Sequence, residues 1–156
     1  MKSTGTSIVF DCKKFEDLTL LELYRILALR SEIFVVEQDC VYQDIDNKDQ
    51  KALHLIGTVN SKIVAYSRIF DAGDYAQYAS IGRVVVDCRY RNFGYGHNLL
   101  EYSIQVVKDM FKTHRIELSG QTYLLNFYRF HQFQPIGSEY LEDGIPHIRM
   151  LYSTTT

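Results

Sequence analysis

The 156-residue chain has two prolines, three cysteines, no apolar run near the length of a membrane span, and almost no net charge. Each shortage excludes something. So little proline, with no low-complexity tract, argues against long disordered linkers. The cysteines, Cys12, Cys40 and Cys88, are odd in number and widely spaced. They form no disulfide framework, and no CxxC pair suggests zinc, so no metal site is expected. Three reduced thiols suit a reducing cytosol. No stretch approaches the roughly 20 apolar residues that a spanning helix needs. Met1-Lys2-Ser3-Thr4-Gly5-Thr6 lacks the apolar core of a signal peptide. The expectation is a cytoplasmic protein with no membrane partner. A formal charge of −2, from 17 basic and 19 acidic residues, gives no reason to expect a nucleic-acid partner. It is compatible with a small cationic or amine substrate.

What is present is ordinary for a globular protein: 46% apolar and 23% charged residues. The length suits one domain. That domain is expected over residues 7–152, with residues 1–6 and 153–156 as frayed tails.

Hydrophobic patterning predicts the element order. Ser7 to Phe10 is a short strand. Thr19 and Glu22 have capping-box spacing and start a helix. Leu20, Leu23, Leu27 and Ser31 fall on one face of that helix. It runs into Ile33–Val36 and then a polar loop, Glu37 to Lys51, that holds Asp44, Asp46 and Asp49. Ala52–Val59 and Lys62–Phe70 read as strands joined by a short turn at Asn60-Ser61. Ser80–Asp87, with Val84, Val85 and Val86 in succession, reads as a central strand buried on both faces. After the loop Arg91–Gly96 a helix runs to about Lys112, burying Leu100, Ile104, Val107 and Phe111. Arg115–Leu118 is a strand and Leu124–Phe130 a short helix. Two closing strands, Ile136–Leu141 and Pro146–Tyr152, flank the turn Glu142-Asp143-Gly144. The layout is α/β: a mixed sheet of six to seven strands flanked by helices.

The loop Arg91-Asn92-Phe93-Gly94-Tyr95-Gly96 opens a helix directly after a buried strand. A helix start offers unpaired N–H groups and the positive end of the macrodipole. Phosphate binds well there, and glycine lets it approach the backbone. No Gly-Lys-Ser/Thr follows, so this is not a P-loop. The dinucleotide pattern fails because Leu99 stands where a third glycine belongs.

Strand, then Arg-x-x-Gly-x-Gly, then an amphipathic helix resembles the acetyl-CoA motif of the GNAT superfamily of N-acetyltransferases. The resemblance implies that Arg91, Gly94 and Gly96 belong to the pyrophosphate loop. The backbone N–H groups of Asn92, Phe93, Gly94, Tyr95, Gly96 and His97 would hold the phosphates. Val84, Val85 and Val86 would line the pantetheine arm and face the thioester. Asn126-Phe127-Tyr128 resembles the second motif of that family, where asparagine and tyrosine lie beside the sulfur. Tyr128 is then the expected general acid for the departing thiolate, with Asn126 beside the cofactor. The family often has glycine before the phenylalanine that follows, and this chain has Gln132 before Phe133.

Two further stretches are similar to the ElaA-like branch of the superfamily. One is Leu29-Arg30-Ser31-Glu32-Ile33-Phe34-Val35-Val36-Glu37-Gln38, continuing through Tyr42, Asp44, Asp46, Asp49 and His54. The other is Tyr140-Leu141-Glu142-Asp143-Gly144-Ile145-Pro146-His147-Ile148. On this reading Arg30, Glu37, Asp44 and His147 border the acceptor, with the aspartate loop as an acidic rim for a cationic amine. Arg30 has a second reading, as a structural partner of Glu37, and His54 reads as a satisfied core histidine. Lys48 stands where a calcium loop needs a ligand.

The implied reaction moves acetyl from acetyl-CoA directly to a primary amine of a small molecule or peptide. Two alternatives stay open: an acyl-homoserine-lactone-type synthase on the same fold, and a non-catalytic acetyl-CoA sensor. A homodimer is also left open.

Overall fold

The computed structural model describes residues 7–152, so both expected tails lie outside the described residues. Seven strands form one sheet in the order β1-β2-β3-β4-β5-β7-β6. They are β1 Val9–Lys14, β2 Leu53–Val59, β3 Lys62–Phe70, β4 Ala79–Val86, β5 Ile116–Gln121, β6 Phe133–Glu142 and β7 Ile145–Tyr152. All neighbours are antiparallel except β4 and β5.

Three α-helices cover the two faces: α1 Leu20–Arg30, α2 Tyr95–Phe111 and α3 Leu125–Phe130. The first starts where its capping box predicts. Thr19 Oγ1 accepts from the Glu22 N–H at 3.0 Å, and the Glu22 carboxylate accepts from the Thr19 N–H at 2.9 Å. Its buried face differs from the expected leucine stripe. Leu20 is 89% exposed, whereas Ile26, Leu29, Arg30 and Ile33 point inward. Ile26, Leu29 and Ile33 pack on Ile56, Tyr66 and Val85. The helix then widens into a π-helical segment, Ser31–Glu37.

Helix α2 packs on the opposite face. Leu99, Leu100, Ile104 and Val107 join Leu55, Ala65, Ile69, Ile81, Leu118 and Tyr128 in the larger core. Successive residues of β3 serve the two sides alternately, as the period of a strand requires. Tyr66 and Arg68 face α1, while Ser67 between them bonds Ser103 of α2 at 2.8 Å.

Two local irregularities bear on the site, one in the middle of the sheet and one before its edge strand β6. Tyr66 pairs with Val85 but Arg68 pairs with Gly82, so Ser67 alone faces both Arg83 and Val84. This is a β-bulge, and Arg83 takes the left-handed conformation there, at φ 50. A bulge bends its strand. The register of β4 on β5 ends correspondingly early, at Ala79↔Ile116 and Ser80↔Glu117. Beyond Ser80 the two strands diverge, so Val84–Val86 are not the doubly packed central strand expected from their sequence. Val85 is buried, while Val84 and Val86 are half-buried. The second irregularity follows α3, where Gln132 adopts φ 70. That conformation favours glycine, and this chain attains it without one.

Candidate active site

The wedge between β4 and β5 opens into a cavity of about 910 Å³. Helix α2 begins at its rim. Gly94 caps that helix in the left-handed conformation, at φ 77, which a glycine adopts without a Cβ penalty. A Cβ at Gly96 would meet only the Phe127 ring, at 3.7 Å. The glycine there is thus not demanded by packing in the free protein. Val84, Val85, Val86, Arg91, Asn92, Gly94, Tyr95, Gly96 and His97, the residues expected at the donor side, all line the cavity, and so does Tyr128. Phe93 and Asn126 are exposed and absent from that lining. Phe93 instead stacks on Tyr95, with ring centroids 5.6 Å apart.

Tyr128 enters from α3. Its ring lies over Gly120 of β5, where a Cβ would be 2.8 Å from the ring. Burial pushes the phenol well above its ordinary value, with the neighbouring Tyr123 adding to the shift. The group therefore keeps its proton at neutral pH and is a hydrogen-bond donor.

The Arg91 side chain faces the first helix. Its Nη1 and Nη2 donate to the Glu37 carboxylate at 3.1 and 2.7 Å, and its Nε donates to the Val86 carbonyl at 3.2 Å. Glu37, expected at the acceptor, lines the cavity and also ties the end of the π-helical segment to the Arg91–Gly96 loop. Two neighbours of Glu37 continue this strap across the wedge. Gln38 accepts from Gln121 Nε2 of β5 at 3.2 Å, and the Cys40 thiol donates to the Asp143 carbonyl at 3.4 Å.

The acidic rim is corrected most strongly. Asp44 and Asp49 are buried, and Arg30 is fully buried against them. Arg30 Nε donates to Asp44 at 3.0 Å and its Nη1 to Asp49 at 2.8 Å. Arg68 donates to Asp46 and Asp49 at 2.7 and 2.9 Å, and Arg83 Nε to Asp44 at 2.8 Å. Three guanidinium groups thus neutralise three carboxylates beneath the cavity floor. Arg30 and Asp44 do not themselves line the cavity, and Asp44 acts from behind the lining by holding Tyr42 and Arg83. Burial alone would raise the Asp46 carboxyl, but hydrogen bonds from Arg68 and the charges of Arg68 and Arg83 hold it at about 2. His54 is the satisfied core histidine expected of it, bonded to the Tyr66 hydroxyl at 2.7 Å and the Asp49 carbonyl at 2.8 Å.

What reaches the cavity from this cluster is Tyr42, named from the sequence only as part of the family-like stretch, and Arg83, which the sequence did not single out. The Tyr42 hydroxyl donates to Asp44 at 2.8 Å, and its ring lies under the Arg83 guanidinium. His147, expected at the acceptor, does line the cavity, together with Glu142 and Asp143 from the β6–β7 turn. His97 Nδ1, on the first turn of α2, lies 2.8 Å from His131 Nε2. Burial, and then His97, lower His131 below the usual histidine range. Among the described residues no cluster of three or more His, Cys, Asp or Glu could hold a metal ion. No helix among them is long and apolar enough to cross a membrane.

Comparison with known proteins agrees with this geometry. The sequence profile of the acetyltransferase (GNAT) domain matches residues 26–154. A UPF0039 protein of Schizosaccharomyces pombe is 40% identical over 147 residues, 93% of this chain and 97% of that protein. Protein ElaA of Escherichia coli is 38% identical over 136 residues, 86% of this chain and 89% of its own. The crystal structure of E. coli ElaA superposes with a TM-score of 0.88 over 94% of this chain and all (100%) of that chain. An acyl-CoA N-acyltransferase from Pseudomonas aeruginosa superposes with a TM-score of 0.89 at 38% identity, over 94% of this chain and 100% of that one. With the wedge, the glycine loop and the profile in agreement, this chain belongs to the GNAT acetyltransferase family, in the branch of ElaA and its UPF0039 relatives.

Proposed function

We propose that this protein is an acetyl-CoA-dependent N-acetyltransferase that passes acetyl directly to a primary amine of a small molecule or peptide. The observation that carries the reading is the wedge. A strand edge released from its neighbour beyond Ser80 leads, through the short 3-10 turn Cys88–Tyr90, to a helix start capped by Gly94. An extended, amide-bearing arm can add to that edge as a strand would. The pyrophosphate then meets the N–H groups from Asn92 to His97. The N–H of Val84 or Val85 faces the thioester and stabilises the oxyanion as it develops.

Tyr128 supports the departing sulfur. As the amine nitrogen bonds to the carbonyl carbon and the C–S bond breaks, the buried phenol donates to the thiolate. Acyl transfer of this kind needs the donor and acceptor held in attack geometry. The strap Glu37–Cys40 is well suited to that, because it joins the phosphate loop, β5 and the β6–β7 turn.

The test is calorimetric titration with CoA followed by measurement of thiol release from acetyl-CoA with primary amines. Binding with amine-dependent thiol release supports the reading. Binding without any transfer would make the chain a sensor, and absence of binding would overturn the donor site.

A further inference from the structure

The sheet gives the wedge two chemically different sides. Along β5, Gly120 faces Tyr128, and the next residue, Gln121, faces the opposite way. His147 of β7 is the cross-strand partner of Gln121 and shares its face. Tyr128 and His147 therefore reach the same cavity from opposite faces of the sheet.

The hydrogen bonds of His147 fix its chemistry. Nδ1 lies 2.7 Å from the Ile145 carbonyl, which can only accept, so Nδ1 carries a hydrogen. Nε2 lies 3.2 Å from the Glu142 carboxylate. With its hydrogen on Nδ1, the ring offers the Nε2 lone pair beside the carboxylate lone pairs, so the two form one acceptor site facing the cavity. An alkylammonium has three N–H donors and can donate to both Nε2 and the carboxylate.

We propose that His147 is the general base for the acceptor amine and that Glu142 holds the amine as an ammonium before transfer, an inference that rests on the acetyltransferase reading. The ammonium gives one proton to Nε2 and becomes the neutral nucleophile. Its nitrogen bonds to the thioester carbon, the C–S bond breaks as the Tyr128 phenol gives its proton to the sulfur, and the second proton of the nitrogen restores that phenol. The products are the amide and CoA thiol, with one proton on Nε2 that returns to solvent. Glu142 stabilises that imidazolium meanwhile. Asp143 of the same turn lines the cavity with His147, and Arg149, two residues on along β7 and on the same face, is paired with Glu117 at 3.0 Å. Tyr140 of β6 lies with its ring centroid at 6.2 Å and its hydroxyl bonded to Ser119, and Gln121 is its partner on β5. From the turn, the Asp143 carbonyl is occupied by the Cys40 thiol.

The test uses the full chain, acetyl-CoA, and spermidine, tyramine and lysine methyl ester as amine probes. His147→Asn keeps a donor for the Ile145 carbonyl and removes the base. It should lower kcat about 100-fold, remove the rate loss on the acid side, and leave CoA affinity within about twofold of the parent, since positioned proton transfer and donor binding are separate contributions. Glu142→Gln should raise the amine KM roughly tenfold with a smaller change in kcat, the pattern of lost ground-state binding. Its side chain is 48% exposed, so it carries the test if His147→Asn does not fold. Parent-like kcat and acid limb in His147→Asn, or an unchanged amine KM in Glu142→Gln, overturns the proposal while transfer itself stands. CoA binding with no thiol release for any probe in the parent overturns the acetyltransferase reading and this proposal with it.

Discussion

Tyr128 and Gly120 are packed so closely that a single methyl group on residue 120 would sit 2.8 Å from the tyrosine ring and 3.0 Å from Met150. Gly120→Ala must therefore displace the ring or the strand. Overpacking of this kind costs about 1–3 kcal/mol. The expected outcome is a lower Tm together with a fall in kcat, because the ring that moves bears the proton donor. Normal kcat with lowered stability would separate Tyr128 from the chemistry.

Tyr128→Phe keeps the ring and removes the hydroxyl. It should lower kcat by about 100-fold, the lower end for a positioned proton donor, with CoA affinity close to the parent's. The active form is the protonated phenol, and burial raises its titration above the ordinary value of about 10. Its loss should therefore contribute no alkaline limb below about pH 10. The sign for stability is the same: the folded state holds this proton more tightly, so stability falls as pH rises above the unfolded value. A kcat within threefold of the parent, well short of the roughly 100-fold expected, returns Tyr128 to the core.

Gly94 and Gly96, at the start of α2, should respond differently to alanine. At Gly94 the φ of 77 strains any side chain, although nothing lies within 4 Å. A cost of about 1 kcal/mol in stability is expected there. At Gly96 the added methyl meets only the Phe127 ring at 3.7 Å, so the free protein should keep its Tm. CoA binding should nevertheless weaken in Gly96→Ala. Unfolding curves and calorimetry on both variants check this, and parent-like CoA affinity in Gly96→Ala counts against close approach at that residue.

Arg68→Met removes one cation from a buried cluster and leaves Asp46 and Asp49 short of a partner. Breaking a buried pair in this way costs about 3–5 kcal/mol. The cluster also predicts acid sensitivity. The Asp46 carboxyl is held at about 2 in the folded protein, against roughly 3.9 in an unfolded chain. Its contribution is fully present above about pH 4 and is lost as pH falls through about 2. Urea unfolding at neutral and acid pH should show the parent losing more stability than Asp46→Asn, and equal losses would contradict it.

What could be read from the sequence was mostly local. The capping box at Thr19 and Glu22, the Asn60-Ser61 turn and the Gly94–Gly96 loop each depend on a few adjacent residues. All three stand where expected. Side-chain placement that depends on tertiary partners was less legible. Leucines suggested the wrong face of α1, because the helix buries Arg30 in an ion cluster and leaves Leu20 in solvent. The aspartate loop read as an acidic rim because the cations that neutralise it, Arg68 and Arg83, are distant in sequence. No local signal announced the bulge at Arg83, since a non-glycine residue at φ 50 in a strand runs against preference. That bulge lies in the stretch of β4 beyond Ser80 that no longer pairs with β5.

The most direct measurement is release of CoA thiol from acetyl-CoA in the presence of a primary amine, with the amine product weighed by mass spectrometry. One thiol released for each acetyl group gained by the amine, at a rate that rises with amine concentration and falls in Tyr128→Phe, is the predicted result. Thiol release that is absent, or independent of the amine and of Tyr128, would contradict an N-acetyltransferase at this site.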